Sequence, residues 1–201
     1  MSKYTPTLIQ NYEFDEVTSA LQKSIRRGLE YESCYWGYII HQSSYGMYLF
    51  RRLSVIACED VGLGNPQALI LVSSLQQSWL ELHKQNKDST LDKFLLALQA
   101  ILYLVRSPKT REGDSLSNLI HEHFTEGKGL KIDDYDFIKD PHTSSGRKIY
   151  GKFGNLKDNG ERKRLNLWFN HFAKIDNQAY PDKWEEELKE IWYSRITKDE
   201  K

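Results

Sequence analysis

The segment "RRLSVIACEDVGLGNPQAL", residues 51–69, gives the clearest indication of the fold of this chain. Arg51 and Arg52 stand about two helical turns before Glu59 and Asp60, so the charged residues bracket one apolar helix. The helix dipole disfavours basic residues near the start of a helix and acidic residues near its end. We therefore expect partners on other helices, or in the following loop, to hold these charges. The stretch predicts a helix that packs into a helical bundle.

The end of this stretch predicts a tight connection into the next helix. Gly62 and Gly64 suit a close turn, Asn65 is a good helix cap, and Pro66 fits the first helical position. The Gly-x-Gly pattern follows a helix and lacks a following Gly-Lys-Ser/Thr, so it is not a phosphate-binding loop. The predicted structural clamp consists of Arg51, Arg52, Glu59, Asp60, Gly62, Asn65 and Pro66.

Amphipathic helices are predicted on both sides of this stretch. Their apolar residues recur at three-to-four spacing, whereas alternating Val/Ile/Thr-rich runs, which would indicate strands, do not occur. The most apolar segment, residues 91–105, is expected at the centre of the bundle. About six helices are predicted, at residues 14–27, 31–42, 47–60, 66–85, 91–105 and 115–126.

The pattern changes after Gly129. Residues 130–160 are interrupted by glycines and prolines and show no sustained period, so they are expected to form an irregular, basic loop. Helical spacing returns at 161–175 and 182–196. We predict an all-α fold in which residues 1–128 form the bundle and residues 129–201 pack on it.

Composition narrows the class of protein. Of the 201 residues, 28 are Lys or Arg and 28 are Asp or Glu, so the overall charge offers no argument for nucleic acid or a membrane. The N-terminus lacks the features of a signal peptide, and no apolar run approaches the roughly 18 residues of a spanning helix. We expect a cytoplasmic protein with no membrane partner. Cys34 and Cys58 lie in apolar helical patterns and are predicted to be buried thiols.

Four motifs carry a resemblance to a known family. They are "KSIRRG" (residues 23–28), "CYW" (34–36), "RRLSVIACEDVGLGNP" (51–66) and "YLVRSPKT" (103–110). In this order they resemble the region C-terminal to the ATPase core in the RarA/MgsA family of AAA+ proteins, which is related to the clamp loaders. The shorter "HTSSGR" (142–147) is similar to a segment of some relatives.

The resemblance implies an all-helical oligomerisation domain of the clamp-loader collar type, self-associating to a tetramer, in proteins that act in DNA replication, repair and recombination. The implied partners are a second copy, an AAA+ ATPase and DNA. No Walker A lysine, Walker B acidic cluster or arginine finger can be assigned, so we expect no ATPase activity from this chain and no catalytic residue or cofactor. The chain is either part of a longer ATPase or a free-standing collar-like protein, and its ends slightly favour the latter.

A second candidate function is nucleic-acid binding by the basic segment. Basic, aromatic and glycine residues in one loop can follow a phosphate backbone and stack on bases. The alternative interpretation is a loop whose aromatic residues are buried and whose charges are solvated. The candidate contacts are His142, Thr143, Arg147, Lys148, Lys152, Arg162, Lys163 and Arg164.

Two further hypotheses rest on weaker patterns. His121 and His123 flank Glu122, but residues two apart on a helix point in different directions, so we expect no metal site. An enzyme built on the same scaffold would use His142 or Glu59 as acid or base, although no nucleophile-elbow pattern accompanies them.

Overall fold

A computed structural model describes residues 6–84, 90–150 and 165–198. The chain folds into two compact units, Met1–Lys128 and Gly129–Lys201. The described residues form helices and turns, with one isolated β-bridge between Thr7 and Glu13 and no strand. The predicted all-α class is confirmed.

Six α-helices build the first unit. Gly28 ends the first of them in the left-handed conformation, with its N–H on the carbonyl of Ile25, because a residue without a Cβ adopts this backbone at little cost. The helices are α1 (Phe14–Arg27), α2 (Glu30–Gln42), α3 (Gly46–Ile56), α4 (Ala68–Lys84), α5 (Thr90–Arg106) and α6 (Glu112–Thr125).

The core of the first unit surrounds α5, as its apolar sequence predicts. This helix packs against α1, α2, α3 and α4. Two glycines allow close approach: a Cβ on Gly37 would collide with Ile101, and one on Gly46 would collide with the ring of Trp79. The fully buried large side chains are Phe50, Leu21, Ile25, Ile39, Ile40, Leu49, Leu53, Ile56, Ile101, Leu104, Val61 and Val72.

A π-helical turn, Ala57–Val61, follows α3, and Ala57, Asp60 and Val61 are buried in it. The sequence predicted an α-helix through residue 60 with Cys58 buried, but Cys58 is exposed and Cys34 is only partly buried. The prediction for Cys58 is therefore wrong. Cys58 follows Arg51 and Val55 by seven and three residues, so it continues the exposed side of α3, whereas Asp60 and Val61 face the interior.

The second unit has shorter elements. Two 3₁₀ turns (Ile132–Asp134 and Asp136–Ile138) precede α7 (Ser144–Tyr150); residues 165–167 are helical and continue into a π-helical turn (Trp168–Phe172); α8 is Glu185–Lys198.

Helix α7 lies in the segment for which the sequence predicted an irregular loop. Thr143 caps it, since its hydroxyl accepts the N–H of Gly146 at 3.0 Å. Asp140 accepts the N–H groups of His142 and Thr143 at 2.9 and 3.1 Å. This capping chemistry lets a helix begin where glycine and proline content suggested none.

Across the part of the chain that the structure describes, no helix is both long enough and apolar enough to cross a membrane.

Candidate functional site

The carboxylate of Asp60 is the centre of a charged junction in the first unit. Its side chain is fully buried. Gln22 of α1 donates an amide N–H to Oδ2 at 2.8 Å, and the guanidinium Nε of Arg26 binds Oδ1. The backbone carbonyl of Asp60 accepts the N–H of Thr110 at 3.1 Å. One residue of the π-turn therefore contacts α1 and the connection between α5 and α6.

Glu59 extends this junction toward solvent. Its Oε1 lies 3.2 Å from Nη2 of Arg26 and 3.5 Å from Nη2 of Arg111. Arg111 also pairs with Asp114 in the first turn of α6 and lies 3.8 Å from Oδ1 of Asp60. Two arginines and three carboxylates thus alternate in space, and each cation is shared between acids.

The two predicted arginines of α3 have different positions. Arg52 is half-buried and its Nη2 binds Oε1 of Gln22, so it reaches Asp60 through the Gln22 amide. Its Nε is buried without a hydrogen-bond partner among the described residues. Arg51 lies on the exposed side of α3. The structure therefore brings Arg52, Glu59 and Asp60 together but places Arg51 outside this junction.

The glycine turn packs against the "SPKT" turn at 107–110. A Cβ on Gly64 would lie 2.7 Å from the carbonyl oxygen of Pro108. Gly62 has a φ of 49°, and a Cβ there would lie 3.1 Å from the carbonyl oxygen of Thr110. Asn65 donates its amide to the Ser107 hydroxyl at 3.0 Å. Glycine is needed at these turn positions because two backbones touch.

Two more residues of the predicted clamp follow this turn. Oδ1 of Asn65 accepts the N–H of Gln67 at 3.3 Å, and its carbonyl accepts the N–H of Ala68. Pro66 is exposed in the turn between Asn65 and α4, which begins at Ala68 rather than at Pro66. Both residues thus shape the entry to α4.

The electrostatics fit a structural role. The hydrogen bond with Asp60 raises the pKa of Arg26, which keeps this guanidinium charged. Burial lowers the pKa of Lys109, and the charge of Asp60 opposes this shift. The Lys109 ammonium is also engaged, donating to the carbonyls of Val105 and Ser107 at 2.8 and 2.7 Å. The charged groups near Glu59 therefore already have partners. Glu59 is the residue that the sequence analysis named as a possible catalytic acid or base.

In the second unit, four of the predicted basic-segment residues lie in or before α7. Arg147 donates to the carbonyl of His142 at 2.8 Å and approaches the Ser144 hydroxyl at 3.4 Å. The ring of His142 lies 5.1 Å from that of Trp168. His142, Arg147 and Lys148 are exposed, whereas Thr143 serves as the helix cap. The other four, Lys152, Arg162, Lys163 and Arg164, lie outside the described residues.

The structure assembles no evident metal site from the histidines of α6. His121 and His123 are both exposed on that helix. Within residues 6–84, 90–150 and 165–198, no three His, Cys, Asp or Glu side chains group closely enough to hold a metal ion.

Sequence reasoning missed four members of the junction, Gln22, Arg26, Arg111 and Asp114. Gln22 stands four residues before Arg26 on α1, which puts the two on one face of the helix. Arg111 stands three residues before Asp114. These spacings are signals in the sequence, but similar pairs occur on ordinary surface helices, so they become informative only when Asp60 is known to face both.

Comparisons of the sequence with known proteins identify the family to which this chain belongs. Replication-associated recombination protein A of Haemophilus influenzae is 28% identical over 134 residues, which is 66% of this chain and 27% of that relative. The chain therefore corresponds to about a quarter of the relative's length. A family model described as MgsA AAA+ ATPase C terminal matches residues 32–149, a range that includes the π-turn, both glycine contacts and the "SPKT" turn. Because this match covers more than half of the chain, the chain belongs to the MgsA AAA+ ATPase C-terminal family.

Proposed function

We propose that this chain is a non-catalytic assembly module of an AAA+ ATPase system that works in DNA replication and recombination, and that it self-associates to a tetramer through its first unit. The observation that carries the proposal is the family match over residues 32–149, which lies on a C-terminal region and not on an ATPase core. The name of the relative, replication-associated recombination protein A, supports the choice of process.

The geometry of the first unit supports a structural role for its charged residues. Asp60, Glu59, Arg26 and Arg111 bind one another and hold α1, the π-turn and α6 in place. A cleft with a free acid and a free base would favour catalysis, but here the carboxylates already have cationic partners. A rigid bundle of this kind is suited to presenting a surface to other chains.

The surface of the first unit supports association. Several large apolar side chains are mostly exposed on it, among them Tyr31, Leu63 and Phe124. Large contiguous patches of exposed apolar side chains are rare on monomeric proteins, and such patches usually mark interaction sites. We also propose that the protein is cytoplasmic and that it binds an AAA+ ATPase.

The first test is the mass of the purified chain in solution, measured by light scattering at low and high salt. We expect a tetramer at both salt concentrations, because an apolar interface is screened little by ions. A monomer across the accessible concentration range at both salts would contradict the proposal.

A second candidate is nucleic-acid binding by the second unit, favoured by the exposure of Arg147 and Lys148 and by the ring of Trp168, which lies 5.1 Å from the ring of His142, the residue whose carbonyl Arg147 binds. On single-stranded DNA, each phosphate contact contributes about 0.7 to the slope of log affinity against log salt. We therefore expect the double variant Arg147→Glu, Lys148→Glu to weaken binding to single-stranded DNA and to reduce that slope by about 1.4. Binding that the double variant leaves unchanged, or no binding by the wild type, would contradict this candidate.

A further inference from the structure

Helix α6 presents an apolar face that no other described part of the first unit covers. The helix has no buried residue along its 14-residue length. Leu116, Leu119, Ile120 and Phe124 recur at the spacing of one helical face, and they are 54%, 50%, 60% and 79% exposed. An amphipathic helix with this pattern normally buries its apolar face, so an occupant is missing.

The attachment of α6 to the first unit explains why this face is open. The contacts of α6 are with the π-turn and with Gly62–Gly64, and Asp114 binds Arg111, which pairs with Glu59. Asp114 stands two residues before Leu116, a separation of about 200° around the helix. The helix is thus held through its polar side at its first turn, and the apolar side points elsewhere.

The charges at the two ends of α6 indicate which occupant fits. Glu112 precedes Ile120 by eight residues and Lys128 follows it by eight. Both are exposed, and the N–H of Lys128 binds the carbonyl of His123 at 2.8 Å, which places Lys128 just beyond the helix end. The Lys128 ammonium pairs with Glu126 of the same chain at 2.5 Å, and because both side chains are largely in solvent it can also approach a second carboxylate. If two copies of α6 pair antiparallel about Ile120, Glu112 of each copy meets Lys128 of the other. A parallel pair would place like charges together.

We infer that the apolar face of α6 binds the same face of a second copy of this chain, antiparallel, with Ile120 at the two-fold axis. Leu116 of each copy then opposes Phe124 of the other, and the interface is self-complementary, as two-fold symmetry requires. This inference rests on the proposed self-association and names the surface that performs it. A tetramer needs a second interface in addition to this one.

The main experiment compares substitutions of two isoleucines of the first unit that are both more than half exposed. Ile120→Glu places a charge at the centre of the proposed interface, whereas Ile70→Glu places one on α4, where Ile70 is 71% exposed. By sedimentation across a concentration series, we expect Ile120→Glu to raise the dissociation constant of the dimer step about a hundredfold or more. Ile70→Glu should leave it within about threefold of the wild type.

A charge exchange tests the antiparallel orientation. Glu112→Lys and Lys128→Glu should each weaken association, and the double variant should restore it, because the exchanged charges meet again across the interface. If the double variant associates more weakly than either single variant, the antiparallel arrangement is overturned. Ile120→Cys in a Cys58→Ser background should also form a disulfide-linked dimer under mild oxidation, since the two-fold axis brings the two thiols together.

The outcomes separate this inference from the proposed function. An oligomeric wild type that Ile120→Glu dissociates and Ile70→Glu does not supports both. An oligomer that Ile120→Glu leaves intact overturns the α6 interface and leaves self-association standing. A thermal destabilisation by Ile120→Glu without change in mass also overturns it, because the face is then covered within one chain. A monomeric wild type overturns the proposed function itself.

Discussion

Two aspartates, one in each unit, accept hydrogen bonds in different ways. Asp60 is fully buried and binds side chains of α1, from residues 34 and 38 positions away in sequence. Asp140 is partly exposed and accepts N–H groups two and three residues further along its own turn. The first carboxylate fixes how helices are arranged, while the second only determines where one short helix begins. The same residue type therefore has a tertiary role in Met1–Lys128 and a local role in Gly129–Lys201.

The two units also differ in what they bury. The aliphatic core of the first unit is extensive, whereas Leu165 is the one buried large apolar side chain among the described residues of the second. Trp184, Tyr180 and Ile175 are all more than 60% exposed there. The second unit relies on turns and ring contacts, such as Phe169 against Trp192 at 5.4 Å. We expect it to be the less stable of the two.

The largest expected effect distinguishes the two aspartates directly. Asp60→Ala leaves the Gln22 amide and the Arg26 guanidinium without their acceptor, so it should lower the free energy of unfolding by about 3 kcal/mol. Asp140→Ala removes two local hydrogen bonds and should cost about 1 kcal/mol. Urea unfolding followed by circular dichroism measures both. Equal losses for the two variants would mean that burial of Asp60 does not have the importance we assign to it.

Close backbone contacts provide a second comparison of the units. A Cβ on Gly64 would lie 2.7 Å from the oxygen of Pro108, whereas one on Gly146 would overlap the carbonyl group of Asp140 and lie 2.5 Å from the oxygen of Lys139. Since backbone atoms cannot yield easily, Gly64→Ala and Gly146→Ala should each destabilise their own unit by about 1–3 kcal/mol. The matched control is Gly113→Ala in α6, where a Cβ would meet nothing within 4 Å.

Thermal unfolding read by circular dichroism tests these three glycine variants. Gly113→Ala should be neutral or slightly stabilising, because alanine favours a helix more than glycine does. Destabilisation by Gly113→Ala as large as that by Gly64→Ala would show that the loss of glycine, not the backbone contact, causes the effect.

A smaller, pH-dependent effect is expected from His41 in the first unit. Burial, and secondarily the charge of Lys93, lowers the pKa of this imidazole below its usual value of 6.5. Its Nδ1 is buried without a hydrogen-bond partner among the described residues, and its Nε2 lies 3.5 Å from the indole nitrogen of Trp79. The folded state thus binds fewer protons than the unfolded state, so stability is full above pH 6.5 and falls as the pH drops below it.

The test of this effect compares His41→Phe with the wild type between pH 7.5 and 5. The variant should lose part of the decline in unfolding free energy that the wild type shows over this range. His83, whose ring stacks on Trp79 at 5.0 Å, provides the control, because His83→Phe should keep the decline. An identical pH dependence for wild type and His41→Phe would contradict the assignment.

The smallest effect should come from the ion pair between Glu30 and Arg106. Its two hydrogen bonds are 2.8 and 2.9 Å long, but both side chains are largely in solvent. Water screens such pairs, so Glu30→Gln should cause no measurable change in the urea midpoint at high salt. A clear loss of stability at high salt would show that geometry outweighs solvent exposure at this pair.

Several features of the fold could be read from the sequence because they are local. Apolar spacing revealed the helices of the first unit, and Gly28 marked the end of α1. The prediction for Cys58 failed because it relied on the apolar neighbours in sequence, whereas helical spacing places Cys58 on the exposed side with Arg51 and Val55. The helix at Ser144–Tyr150 was missed because capping by Thr143 and Asp140 outweighed the breaking tendency of the nearby glycine and proline. Residues near a helix boundary are thus where local patterns are least informative.

The sequence is sufficient to predict the helical class, the charged segment at 51–69 and the family resemblance, because each depends on residue types at short, regular spacing. The tertiary structure is needed to show that Arg26 and Arg111 bind Asp60 and Glu59, that Arg51 does not, and that Gly64 contacts Pro108. The residues joined by these ion pairs lie between 33 and 52 positions apart in the sequence. Their partners are selected by how helices pack in space, and sequence spacing carries no information about that choice.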